Sequence, residues 1–173
     1  MHFHLLNLFR HSSHQTTLRN FIFGVEDSLV STVGLLAGVA TADMARPSLL
    51  TTGIVLIVVE GFSMGVGSFL TEETAEEMDN KTPNVFLALR GGLTMFFSYI
   101  LAGLIPLAPY LFVTGTSAII CSIAASLAGL FLLGYLTAYH YHRPNPMFRA
   151  LRMLILGGLA TLVGILIGKL FHL

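Results

Sequence analysis

Long apolar runs alternate with short polar breaks along the whole chain, and the lengths of the runs decide what they are. A helix rises about 1.5 Å per residue and a bilayer core is about 30 Å thick, so about 20 apolar residues cross it with every backbone group bonded internally. Five runs reach that length: residues 21–42, 49–70, 86–105, 111–138 and 151–171. Three of the breaks, ATADMARPS, IPLAPY and HYHRPNPMFR, contain Pro47, Pro106, Pro109, Pro144 and Pro146, which are expected to stop helices there. The remaining break, TEETAEEMDNKTP, is polar and acidic. The pattern predicts an all-α integral membrane protein of five transmembrane helices forming a single membrane domain over residues 1–173. Within it, residues 1–20 form an N-terminal interfacial segment, 21–171 the five-helix bundle and 71–83 a short acidic segment.

Composition agrees with that class. Hydrophobic residues make up 54% and charged residues 10%, with a mean hydropathy of +0.79, against about 25% charged in an ordinary globular domain. The formal net charge is zero, so no global field recruits nucleic acid as a partner. A lone cysteine, Cys121, excludes an intrachain disulfide. The first twenty residues lack a small-residue cleavage site and are expected to be retained. There, His2, His4, His11 and His14 are interleaved with Phe3, Leu5, Leu6, Leu8 and Phe9, which reads as a short amphipathic helix on the membrane face. Basic residues set the orientation. Arg10, Arg19, Lys81, Arg90, Arg143, Arg149 and Arg152 fall on the N-terminal side of the membrane, and only Arg46 and Lys169 on the other. The bias predicts a cytoplasmic N-terminus and an external C-terminus.

Carboxylates inside apolar helices are where the chemistry begins. Glu26, Asp27 and Glu60 lie within the first two spans with no intramembrane lysine or arginine to pair with, and such residues are functional by default. Asp27 falls roughly 9–12 Å from the cytoplasmic start of its helix and Met64 roughly 9 Å from the cytoplasmic end of the next, so the two can share a level. Glu60, Met64, Ser68, Glu72 and Glu76 follow one another at steps of four, a slowly winding stripe on one helix face. Glu73 and Glu77 widen its cytoplasmic end into an acidic mouth that could collect metal. Oxygen ligands with a soft thioether favour transition metals such as ferrous iron, manganese or cobalt over magnesium and calcium. A proton is the natural counter-passenger, because an arriving cation displaces it from a carboxylate. His140 and His142 add imidazoles in the last cytoplasmic loop, a ligand type suited to iron and zinc.

The motifs resemble those of the vacuolar iron transporter family. Its first-helix run, G-x-N-D-G-L-V-S-T-x-G-L-x-x-G-V, is matched by Gly24-Val-Glu-Asp27-Ser-Leu-Val-Ser31-Thr-Val-Gly34-Leu-Leu-Ala-Gly38-Val. Its second-helix S-M-A-x-G-E is matched by Ser63-Met64-Gly65-Val66-Gly67-Ser68, and its L-x-P-L-x-P-Y by GLIPLAPYL. The resemblance covers about residues 19–172. It implies a five-helix protomer, a homodimer with the ion path at or near the subunit interface, and proton-coupled export of ferrous iron, often with manganese. Cobalt and zinc are further candidate cargo, and no cofactor is implied to stay bound. Asp27 matches the family's pathway aspartate and Met64 its pathway methionine, with Ser63 and Ser68 beside them. Glu26 stands where the family has Asn, Ser28 where it has Gly and Ser68 where it has Glu, while Glu60 is an added carboxylate. The long acidic cytoplasmic domain of the plant and yeast-like members has no room in residues 71–83, so this is a short member in which Glu72, Glu73, Glu76 and Glu77 are a remnant at most. The compact loops favour a prokaryotic cell membrane; in a eukaryote a vacuolar-type membrane is expected.

Two rivals stand beside transport. One is a metal or proton sensor, or an assembly subunit, that binds a cation without passing it; the other is an exchanger of another solute whose carboxylates serve only protons. An enzyme is not expected, since no H-E-x-x-H and no phosphate-cradling Gly-rich loop occurs. Small residues at four-residue spacing, Gly34/Gly38, Gly61/Gly65, Gly164/Gly168 and the series Ser117, Cys121, Ala125, Gly129, read as close helix packing within the bundle rather than as dimer faces.

Overall fold

A computed structural model describes residues 2–79, 82–142 and 144–171, with side chains from residue 15 onward. It contains five helices: α1 (His2–Thr41), α2 (Arg46–Met78), α3 (Val85–Phe112), α4 (Thr116–His140) and α5 (Pro146–Phe171). Each has a stretch long and apolar enough to cross a membrane, which makes this an all-α, multi-span membrane fold. The backbone of the N-terminal segment continues α1 without a break. The side chains of His2, His4, His11 and His14, together with Lys81 and Arg143, lie outside the described residues. At 33 residues α2 is about 50 Å long. It outruns a bilayer core, so its acidic turns, Glu72 to Glu77, continue past the apolar span.

Three of the breaks are closed by specific chemistry. Asp43 takes a positive φ of 56° and Pro47 opens α2, where its missing N–H costs nothing. Asn84 caps α3 by accepting from the Leu87 N–H at 3.2 Å, and its own N–H donates to the Glu76 carboxylate. Gly115 turns the chain between α3 and α4 at φ 66°, a conformation that suits a residue without Cβ.

Pro106 and Pro109 were expected to end the third helix near residue 105, with the fourth starting at 111. They lie inside α3, which runs on to Phe112, and α4 starts at Thr116. The bundle overrides the local rule. Pro106 is buried, Ser122 of α4 donates to its carbonyl at 2.7 Å, and Arg46 reaches over to donate to the Tyr110 carbonyl at 2.9 Å and to that of Leu111.

α1 is the most enclosed helix, with half of its span buried against about a fifth for α4 and α5. It packs chiefly on α3 and α5, whereas its direct contact with α2 is the thinnest in the bundle. The α1–α5 seam is built of the small residues noted above. A Cβ added at Gly38 would lie 2.7 Å from the Gly164 carbonyl oxygen, and Gly164 and Gly168 press as closely on Gly34 and Gly38. Gly65 and Gly92 make the same kind of seam between α2 and α3. These glycine spacings therefore serve packing within the protomer, whereas Ser117 and Cys121 of the α4 series are exposed and do not. Toward the Arg46 end the core is Leu36, Leu49, Ile57, Leu107 and Tyr110; nearer the acidic end it is Leu29, Ala102, Leu130 and Met153.

Candidate functional site

Polar side chains recur along one stripe of α1 and one of α2, and the antiparallel helices bring them together in register. On α1, residues 16, 20, 27 and 31 fall within about 100° of one another around the axis. On α2, residues 60, 64, 68 and 72 advance about 40° per step. Nearest the acidic end, Thr16 donates to Glu72 at 3.3 Å and Arg19 lies 3.6 Å from the same carboxylate. One turn deeper, the buried Asn20 donates from Nδ2 to Ser68 Oγ at 2.8 Å. Deepest, Ser31 and Glu60 meet through a third residue, Tyr99 of α3. Asp27 and Met64 occupy the interval between the last two rungs, each half-buried and at the same level by register.

Tyr99 is fully buried, with 0% exposure. Its hydroxyl bonds the Glu60 carboxylate and lies 2.6 Å from Ser31 Oγ. The single phenolic proton is committed to Glu60, so Ser31 donates to the phenol oxygen. The Tyr99 carbonyl accepts from Ser28 Oγ at 2.6 Å. Asp27 lies one helical turn from Ser31 on α1, on the same stripe. Glu60 and Ser31 also line one side of a groove of about 480 Å³ between α1, α2 and α5, floored by Gly34, Gly38 and Gly164.

The remaining candidates are placed less centrally. Glu26 is half-buried but turned about 100° from Asp27 around α1, away from the stripe. Ser63 is exposed on the outer side of α2. Ser68, Glu72 and Glu76 are each committed to a partner, Asn20, Arg19 with Thr16, and the Asn84 N–H respectively. Glu73 is half-buried and Glu77 exposed, and so are His140 and His142 at the end of α4. Among the described residues, no group of three or more His, Cys, Asp or Glu side chains converges to hold a metal ion. Within one protomer, two carboxylates, Asp27 and Glu60, lie about one turn apart in register, with the Met64 thioether level with Asp27.

Sequence reasoning missed Tyr99, Asn20 and Ser31 as members of this network. A signal existed for the first, since a tyrosine in the middle of TMFFSYIL must find a partner for its hydroxyl once buried.

Comparison with known proteins bears on what the arrangement serves. The model of the VIT family matches residues 18–85 and 82–169. A vacuolar iron transporter of Centaurea cyanus is 25% identical over 223 aligned positions, covering 91% of this chain and 90% of the relative. Vacuolar iron transporter 1 of Tulipa gesneriana is 24% identical, with 88% and 86% covered. Vacuolar iron transporter 1 of Oryza sativa subsp. japonica is 30% identical over 105 positions, with 60% and 41% covered.

Proposed function

The chain belongs to the VIT family, and from that premise we propose that it carries divalent transition metal out of the cytosol in exchange for protons. Ferrous iron is the first cargo, as the similarity to vacuolar iron transporters suggests, with manganese, cobalt and zinc as further candidates. Family membership makes the chain a transporter rather than an enzyme.

The observation that carries the reading is the pair of half-buried carboxylates, Asp27 on α1 and Glu60 on α2, about one turn apart in register inside two apolar spans whose interiors hold no lysine or arginine. Two anions close together in low dielectric are costly. A divalent cation or a proton relieves that cost, and each competes with the other for the same oxygens. Met64 at the same level adds a soft ligand that discriminates against magnesium and calcium. Glu26, one residue away, adds negative charge that raises the local cation concentration.

In this account the ion enters past Glu72, Glu73, Glu76 and Glu77, reaches Asp27, Met64 and Glu60 past Ser68, and leaves toward the Arg46 end. The excess of basic residues on the acidic-mouth side supports a cytoplasmic N-terminus and therefore export. Two anionic ligands and a thioether leave a metal short of its usual complement. A homodimer that sets two copies of the stripe against each other supplies the rest, and the groove beside Glu60 lies on a face open to such a partner.

The chain also reads as a short form of its family. The family match falls into two parts that meet at residues 82–85, in the connection between α2 and α3. The Centaurea cyanus alignment runs over 223 positions, longer than the 173 residues of the chain, so that relative carries residues this chain lacks. The membrane is a cell membrane or a vacuolar-type one, and in either the metal leaves the cytosol. The test is a liposome carrying the purified protein, a metal-sensitive dye and, in parallel, a pH dye. Ferrous iron crossing one way with protons crossing the other supports antiport; metal bound without flux would leave a sensor.

A further inference from the structure

Tyr99 is held at both ends. Its carbonyl accepts from Ser28 Oγ and its hydroxyl lies between Ser31 and Glu60. Small residues make room for this. A Cβ at Gly61 would lie 3.4 Å from the Tyr99 ring, and one at Gly103, a turn further along α3, would meet Ser28 Oγ at 2.9 Å. The ring therefore packs against α2 at Gly61, beside Glu60, and α3 lies close on α1. Since α1 and α2 touch each other so little directly, the tyrosine is the polar bridge between them at this depth.

From this geometry we infer that Tyr99 is a positioning residue for metal uptake: it holds the Glu60 carboxylate by one oxygen and leaves the other turned toward the ion. The inference rests on the transport reading above and adds a residue to it. A glutamate side chain has three torsions and samples several rotamers when free. A lysine or arginine partner would fix it but cancel its charge. A neutral phenol fixes it and leaves the charge for the cation. Ser31 completes the relay by orienting the phenol, as partners of ligating carboxylates and imidazoles commonly do.

The experiment uses the full chain in liposomes, with Mn²⁺ as probe. Binding is followed by the EPR signal of the free ion and uptake by its dependence on Mn²⁺ concentration. Tyr99→Phe, which keeps the ring, is expected to raise the half-saturating Mn²⁺ concentration about 10- to 100-fold with the maximal rate little changed. In a Glu60→Gln background the same change should add no further shift, because a residue acting through Glu60 has nothing left to position. Wild-type binding by Tyr99→Phe would overturn the inference, and so would a shift that persists in full without Glu60. If Tyr99→Phe fails to fold, Ser31→Ala decides: a shift in the same direction is expected, and its absence overturns the assignment. A folded wild type that neither binds nor moves Mn²⁺, and moves no Fe²⁺ in the same liposomes, defeats the transport reading and this inference with it. Active wild type with an unchanged Tyr99→Phe defeats this inference alone.

Discussion

Replacing Gly38 with alanine tests the packing that holds the polar stripe of α1 in place. The new Cβ would sit 2.7 Å from the Gly164 carbonyl oxygen, about 0.7 Å short of the 3.4 Å at which ordinary contact begins. The obstacle is backbone, so it cannot rotate away, and α1 and α5 must separate along a seam that also includes Gly34 and Gly168. A gap of that size forfeits a quarter to a half of each contact's attraction, and overpacking of this kind costs about 1–3 kcal/mol. Alanine returns about 1 kcal/mol of helix propensity, so the net loss is about 0–2 kcal/mol. Gly158, on the same helix as Gly164, has nothing within 4 Å of its would-be Cβ. Gly158→Ala should collect the propensity gain alone, leaving the two variants about 1–3 kcal/mol apart. Unfolding by SDS titration in mild detergent micelles measures the difference. Equal stability, or a more stable Gly38→Ala, would refute the close α1–α5 approach.

Other substitutions probe single contacts. Thr32 is 0% exposed, and its hydroxyl has no hydrogen-bond partner among the described residues. Thr32→Val should therefore be neutral to stabilising by about 1 kcal/mol; a loss of that size in the same titration would reveal a missed partner. Asn20→Ala removes the buried bond to Ser68 and should cost about 1–3 kcal/mol, read as a lower midpoint of unfolding. The Arg19–Glu72 pair is a rim contact, with Arg19 67% exposed. Arg19→Ala should change stability by less than about 1 kcal/mol, and the difference should shrink in high salt.

Much of the site could be read from spacing because its two helices obey simple geometry. Steps of four along α2 and of seven and four along α1 mark faces whatever the rest of the fold does, which is why Asp27 and Met64 fall level between the Asn20–Ser68 and Ser31–Tyr99–Glu60 rungs. What escaped was everything supplied by a third helix. Whether Tyr99 faces Glu60 depends on how α3 rotates; the spacing of Gly61 and Gly65 marks a packing face on α2, but not that Gly92 and Gly103 of α3 are what meet α2 and α1. Ser68 reads as a pathway hydroxyl until Asn20 is seen to hold it. Pro106 and Pro109 show the same limit from the other direction: local propensity says stop, yet α3 runs through both to Phe112, with Pro106 buried in the bundle.

The central claim is that an ion passes the carboxylates of α1 and α2, and Asp27→Asn tests it most directly, since the substitution removes one charge and little volume. Wild type and variant are reconstituted side by side in sealed liposomes and challenged with ferrous iron under a proton gradient. The account predicts iron entry with opposite proton movement in the wild type, and loss of both in Asp27→Asn. A variant that carries iron at the wild-type rate, or a folded wild type that carries none, would contradict it.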